Sequence, residues 1–215
     1  MSDRRELALE LYRGRAPKYD RGAARWPFTG LRRRAIDLLD LKPGGSVLDV
    51  GCGTGLAFPL LEEAIGPEGR IIAIDQSPDM LAVARDRVEV NGWQNVRLTQ
   101  SSVEEAEFPG QVDAALFAFS HDIIRSPRAI ENALQRVKLG GRISVVGVTW
   151  GRWWELPFSL LLWLNLRRGA TTYEGLRRPW SHLARLVPQL QVRRAFGGHR
   201  GCYYVACGAR TLTKA

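Results

Sequence analysis

Ser46-Val47-Leu48-Asp49-Val50-Gly51-Cys52-Gly53-Thr54-Gly55 decides the fold. Residues 46–50 are mostly β-branched or apolar and follow a Pro43-Gly44-Gly45 turn, so they read as a short buried strand. Three glycines then alternate with other residues, as where a chain needs positive φ or close approach by another molecule. Leu56 to Ala64 continues as a helix. A glycine-rich loop feeding a helix N-terminus can turn backbone N–H groups toward a ligand. Spacing narrows the choice. A dinucleotide fingerprint begun at Gly51 needs its third glycine where Leu56 stands, and one begun at Gly53 needs it at Phe58. No Lys follows, as a phosphate loop would require. Asp49 would repel a pyrophosphate and suits a ligand with a cationic amino-acid end.

Composition sets the bounds. The chain has 215 residues and is 45% hydrophobic, enough for one α/β domain with additions. Lys+Arg 31 against Asp+Glu 22 gives +9, nearly all of the cation being Arg. Clusters at Arg32-Arg33-Arg34, Arg167-Arg168, Arg177-Arg178 and Arg193-Arg194 suit either an anionic partner, nucleic acid or an anionic membrane surface, or a solvated face. Of three cysteines, Cys52 lies in the glycine loop, while Cys202 and Cys207 share an apparent strand and point to opposite faces. No C-x-x-C occurs, so neither a structural metal nor a disulfide is expected, and a reducing cytoplasm fits best. The N-terminal residues lack an apolar signal core, and no run of about twenty apolar residues exists.

The rest of the chain alternates. Residues 3–16 read as a helix broken at Ala16-Pro17, and Trp26-Pro27-Phe28 is apolar for a connector. Thr29 is placed to cap a helix over Gly30–Leu41, with Leu31, Ala35, Leu38 and Leu39 on one face. A second strand, Arg70–Ile74, ends at Asp75, an acid about twenty residues past the glycine loop that can accept both hydroxyls of a ribose. Ser77-Pro78 starts a helix that Asn91-Gly92 ends. Strands follow at Val96–Gln100 and Val112–Phe117, then a helix from Ser126-Pro127 to about Val137, a Leu139-Gly140-Gly141-Arg142 turn and a fifth strand, Ile143–Val148. This rhythm implies a parallel, doubly wound sheet. It changes at the end, where Gln191–Phe196 and Cys202–Ala209, joined by Gly197–Gly201, read as an antiparallel hairpin.

Val47-Leu48-Asp49-Val50-Gly51-Cys52-Gly53-Thr54-Gly55 resembles motif I of the class I S-adenosylmethionine-dependent methyltransferases. The terminal hairpin is what that fold adds to a Rossmann-like sheet. The resemblance covers about residues 40–210 and implies a seven-stranded, mostly parallel α/β sheet. It also implies a helical cap over residues 1–40, a cofactor-binding domain over 41–215 and a hydrophobic lid or insertion over 150–180. The implied cofactor is S-adenosylmethionine, leaving as S-adenosylhomocysteine, with no metal. By resemblance, Asp49, Gly51, Cys52, Gly53 and Gly55 hold the cofactor, Asp75 takes the ribose, and Gln76 and Met80 lie against ribose and adenine. Ser102 and the Val103 N–H meet the adenine, Ala118 and Phe119 line the methionine end, and Tyr19 helps cover the whole. Ser102 departs from the family, which usually has Asp there; it is the support for a rival reading as an inactive cofactor-binding regulatory protein.

The acceptor is less defined. Enzymes of this fold that methylate exocyclic amines of nucleic-acid bases usually carry an Asn/Asp-Pro-Pro-aromatic loop after the fourth strand. Here Phe119-Ser120-His121-Asp122 looks instead like the ubiquinone/menaquinone-type and other small-molecule methyltransferases, which counts against nucleic acid. His121 and Asp122 are the acid/base candidates, because in-line displacement needs an aligned, deprotonated nucleophile. Thr149 to Trp180 holds five of the seven tryptophans, and its apolar run Leu156–Leu166 meets Arg167-Arg168. That segment reads as a lid over the acceptor, as an interfacial helix such as phospholipid N-methyltransferases would use, or as a helix packed in a dimer or the core. The expectation is methyl transfer to an O or N atom of a small apolar, aromatic or lipid-like acceptor by a cytoplasmic monomer or homodimer. The interfacial reading adds contact with the inner face of the membrane.

Overall fold

The computed structural model describes Asp20 and residues 28–150, 175–195 and 203–211. The expected helix over 3–16, Tyr19, Trp26, residues 151–174 of the apolar segment, Cys202 and the hairpin turn at 197–201 lie outside the described residues.

Seven strands form one sheet: β1 (Ser46–Val50), β2 (Arg70–Asp75), β3 (Val96–Gln100), β4 (Val112–Ala118), β5 (Val137–Val148), β6 (Gln191–Ala195) and β7 (Tyr203–Ala209). Their order is β3-β2-β1-β4-β5-β7-β6. The first five strands are parallel, and β7 runs antiparallel to both β5 and β6. This is the mostly parallel sheet with a terminal antiparallel hairpin that the sequence led us to expect. The described helices are α1 (Phe28–Asp37), α2 (Phe58–Ile65), α3 (Pro78–Asn91), α4 (His121–Ile124), α5 (Pro127–Arg136) and α6 (Ser181–Leu186).

Strand residues alternate between two apolar layers, the period-2 consequence of the pleat. Leu48, Val50, Ile72, Ile74, Ala115, Phe117, Ile143 and Val145 face one way, onto Ile130 and Leu134 of α5 and Leu183 of α6. Val47, Ile71, Ala73, Ala114, Leu116 and Val146 face the other, onto α1, α2 and α3. The near-continuous apolar runs in β1 and β2 follow from coverage on both sides. Asp49 shares its face with Val47, so the acid points toward the layer that contains α1. No helix among the described residues is long and apolar enough to cross a membrane.

Several boundaries differ from expectation for identifiable reasons. The helix α1 begins at Phe28, with Thr29 inside its first turn, and ends at Asp37 rather than Leu41. Asp40 takes φ 51°, a left-handed conformation that a helix cannot continue through. Its buried stripe is Leu31, Arg32, Ala35 and Ile36, so Ile36 replaces the expected Leu38 and an arginine joins the apolar face. The glycine loop runs two residues further before α2 starts at Phe58, because Phe58 N–H bonds the Gly55 carbonyl at 3.1 Å as a turn. The expected turn at residues 139–142 lies within β5. There Gly140 takes φ 80°, and its N–H bonds the Arg210 carbonyl at 2.8 Å while Arg210 N–H returns to Gly141 at 2.8 Å. Ser77 caps α3 as expected, accepting from Met80 N–H at 3.4 Å, and Gly92 closes it in the left-handed region.

Candidate active site

The expected site residues follow the carboxyl ends of β1, β2, β3 and β4, which are neighbours in the sheet. The topology therefore brings them to one edge, where open α/β sheets bind ligands. Asp49 lies in β1 and the glycine loop follows it, Asp75 ends β2 with Gln76 and Met80 beyond it, Ser102 and Val103 follow β3, and Ala118 ends β4 with Phe119, His121 and Asp122 beyond it. Tyr19 lies outside the described residues. An open cavity of about 550 Å³ lies at the opposite, amino ends of the strands, around Ser46, Arg70, Arg97, Asp113 and Lys138, and contains none of these residues.

The loop is built from inward-turned donors. Gly51 and Cys52 N–H both reach the Ile74 carbonyl at 2.9 Å, and Gly55 N–H bonds Cys52 at 3.0 Å. Gly53 N–H donates to Asp75 Oδ2 at 2.9 Å. The sequence suggested that these N–H groups would face a ligand; instead the backbone spends them on itself and on Asp75. Gly51 is required twice, by φ 74° and because a Cβ would lie 2.6 Å from Ile123 and 2.9 Å from Ser120. Gly53, at φ 56°, would meet nothing within 4 Å, so its outer face is open.

Asp75 bridges two elements, since its Oδ1 also accepts Ser77 N–H at 2.9 Å. Burial raises its pKa against the pull of these bonds. Asp49 is the opposite case. It is 1% exposed, and neither carboxylate oxygen has a hydrogen-bond partner among the described residues. Burial pushes its pKa up to about 7; the positive charge of Arg32 pulls it back and Asp75 pushes it further up. Burial likewise raises the Cys52 thiol well above its usual range, so it remains protonated.

After β3, Ser102 Oγ donates to Glu105 at 3.1 Å, and the Val103 carbonyl accepts from Asn132 at 2.7 Å. Met80 is buried and Gln76 half-buried. Phe119 follows β4 at φ 59°, a strained conformation for an aromatic residue and one found preferentially at functional sites. Its ring meets Phe28 edge-on at 5.4 Å, and Phe28 meets Tyr203 at 5.7 Å. His121 and Asp122 open the four-residue α4; His121 is half-buried and Asp122 exposed.

Sequence reasoning passed over two residues. Arg32, counted in a cluster that suits either an anionic partner or a solvated face, is 5% exposed with its guanidinium 5.1 Å from the Phe119 ring centroid. Its signal was present: Arg32, Ala35, Ile36 and Leu39 fall at helical spacing on the buried stripe. Ser120, beside Gly51, has a buried Oγ without a partner among the described residues; no spacing rule marks it.

Residues 47–141 match the methyltransferase domain family. The ubiquinone/menaquinone biosynthesis C-methyltransferase of Ectopseudomonas mendocina is 31% identical over 156 residues, 67% of this chain and 59% of that protein. The chain belongs to the class I S-adenosylmethionine-dependent methyltransferases. The phosphatidylethanolamine N-methyltransferase of Cereibacter sphaeroides is 36% identical over 118 residues, 54% of this chain and 56% of its own length. The matched region thus spans less than two thirds of these relatives. In fold, the chain is similar to the geranyl diphosphate C-methyltransferase of Streptomyces coelicolor, with TM-score 0.63, 16% identity, and 85% and 79% of the two chains covered. An O-methyltransferase of Thermotoga maritima gives TM-score 0.59 at 15% identity over 86% and 66%. S-adenosylmethionine is the cofactor of this family.

Asp49 supplies a test without ligand. Its carboxyl favours the neutral form when folded, so ionisation destabilises the fold. Stability falls as pH rises from the unfolded value of about 4 through about 7, then levels off. Asp49→Asn is expected to remove this loss and to stabilise the ligand-free protein at pH 8 by up to roughly 4 kcal/mol, with little gain at pH 4.5. Urea unfolding of both proteins at the two pH values measures it.

Proposed function

We propose that this chain transfers a methyl group from S-adenosylmethionine to a small apolar, aromatic or lipid-like acceptor held beyond the carboxyl end of β4. The observation that carries this reading is the loop that turns its N–H groups inward while the two oxygens of Asp49 have no partner among the described residues. Such a surface is rich in acceptors and poor in donors. It suits a ligand bearing an ammonium group and repels a phosphate.

The other residues fit the same ligand. Asp49 takes the ammonium end. The oxygens of Asp75 keep a lone pair each for the ribose hydroxyls. The Ser102 proton is committed to Glu105, so its hydroxyl is left to accept, which matches the adenine amino group; Val103 N–H is the complementary donor. Gln76 and Met80 border the ribose and adenine, Gly51, Cys52, Gly53 and Gly55 frame the methionine carbons, and Ala118 and Phe119 flank the methionine end. When bound, S-adenosylmethionine supplies an electrophilic methyl group on a sulfonium. Phe119 and Phe28 exclude water from that end. For an oxygen or carbon acceptor, His121 receives the proton as the new bond forms; an amine acceptor loses its proton to solvent. Asp122, being exposed, steers rather than abstracts.

The relatives named for ubiquinone/menaquinone biosynthesis and for phosphatidylethanolamine support an apolar or lipid-like acceptor, with carbon added to oxygen and nitrogen as the receiving atom. The apolar, Trp-rich stretch before Arg167-Arg168 supports the same choice, and with it a position at the membrane surface.

S-adenosylhomocysteine binding should follow a bell in pH. Affinity rises about tenfold per unit toward pH 7 as Asp49 ionises, and falls in alkaline solution as the ligand amine loses its proton. Calorimetric titration of Asp49→Asn is expected to lose the acidic limb; absence of binding by the natural protein would sink the reading. Labelled S-adenosylmethionine added to extract, then separated into lipid, small-molecule and macromolecular fractions, is expected to mark the first or second. With that acceptor in hand, His121→Ala is expected to lower kcat by about 10²–10⁴ if O or C is methylated; unchanged turnover removes His121 from the chemistry.

A further inference from the structure

Thr54 occupies the centre of the glycine loop, between Gly53 at φ 56° and Gly55 at φ 75°. Ile74 and Asp75 hold the loop at residues 51–53, and Thr54, set between two glycines, needs a hold of its own. Thr54 is 1% exposed and is gripped at two points. Its hydroxyl donates to Asp20 Oδ1 at 2.5 Å, and its carbonyl accepts from Arg87 Nε at 2.9 Å. The ring closes through Arg87 Nη2, which donates to Asp20 Oδ2 at 2.5 Å. These three residues come from parts of the chain 34, 33 and 67 positions apart.

We propose that Asp20, Thr54 and Arg87 form a latch that fixes the glycine loop in its cofactor-holding shape, so that Asp20, well ahead of the sheet in sequence, sets how tightly S-adenosylmethionine is held. The inference rests on the cofactor reading above. A planar guanidinium is the group that can hold a carboxylate with one nitrogen and a carbonyl with another. The partners are half-buried, with the Asp20 and Arg87 side chains each 24% exposed, so salt reaches and weakens the pair. Arg87 lies on α3, whose first turn is bound to Asp75 through Ser77. One helix thus contacts the loop system at its start and again farther along. Opening the latch frees both handles of Thr54, and the loop relaxes away from the ligand. The three are positioning residues. Their loss falls on cofactor affinity and on KM for S-adenosylmethionine rather than on kcat.

The test compares S-adenosylhomocysteine binding by the natural full chain, Asp20→Asn, Arg87→Met, the double variant and Arg87→Lys, at low and high NaCl, with thermal unfolding as a check on folding. Each single variant is expected to weaken binding about tenfold. The double variant should weaken it little further, because the residues act as one unit. Arg87→Lys, which keeps the ion pair but cannot also hold the Thr54 carbonyl, should fall between. Salt should weaken binding by the natural chain more than by the variants. Natural affinity in Asp20→Asn, or independent losses that multiply in the double variant, overturns the latch. Should Arg87→Met not fold, Asp20→Asn and Arg87→Lys decide alone. Failure of the natural chain itself to bind would overturn the cofactor reading instead.

Discussion

The carboxylate of Asp75 is the tie on which the edge of the sheet depends. One oxygen holds Gly53 N–H and the other Ser77 N–H, so a single side chain at the end of β2 fixes both the loop after β1 and the first turn of α3. Each bond to a charged acceptor is strong, and burial makes the alternative, an unpaired ion, costly. The consequence reaches beyond Asp75. With Gly53 N–H taken, and Gly51 and Cys52 N–H bound to Ile74, the loop is left presenting oxygen atoms. A glycine loop of nearly the same composition can cradle phosphate only when its N–H groups point outward. Here the donors are turned inward, and that orientation separates the two kinds of site more sharply than the count of glycines does.

Asp49 and Arg32 then read as one electrostatic arrangement. A fully buried carboxylate is among the costliest groups a fold can carry, and Asp49 has no hydrogen bond among the described residues to offset that. Arg32 offsets part of that cost through its charge, while resting on the face of Phe119. The remainder is a site poised near neutrality, ready to gain from a cation that brings its own hydrogen-bond donors. The strained backbone of Phe119 sits at the same place, so α1 brings the arginine, β1 the acid and the turn after β4 the strained ring to one corner.

Local pattern carried the fold well and the site unevenly, and the reason differs residue by residue. The β1 strand, the Ser77 cap and the terminal hairpin are local signals, since period, cap and turn lie within a few residues of one another. Asp49 and Asp75 could be placed because each ends a strand at a spacing set by the βαβ unit. The direction of the loop N–H groups was hidden, because it depends on Ile74 and Asp75, which meet the loop only through β1–β2 pairing. The run at 139–142 looked like a turn and lies in a strand because Arg210, far along the chain, pairs with its glycines. The hold of Asp20 and Arg87 on Thr54 was hidden for the same reason: no local rule joins residues that far apart.

The arginines show how far a charge count can mislead. Arg33 is spent on Glu63 in a two-point bridge, and Arg87 on Asp20 and Thr54. Arg142 donates to the Leu38 carbonyl and to Cys207 Sγ, Arg210 to the Gln135 and Val137 carbonyls, and Arg136 lies over Phe108. With Arg32, six arginines thus have partners within the chain, several of them backbone carbonyls at strand and helix ends. Lysine could not replace most of these, because each uses a fork of donors or a flat face rather than a point charge. For these positions the preference for Arg over Lys has a cause within the fold. A net charge of +9 therefore overstates the cation free to meet a partner, by the arginines that work on the protein's own carbonyls, carboxylates and rings.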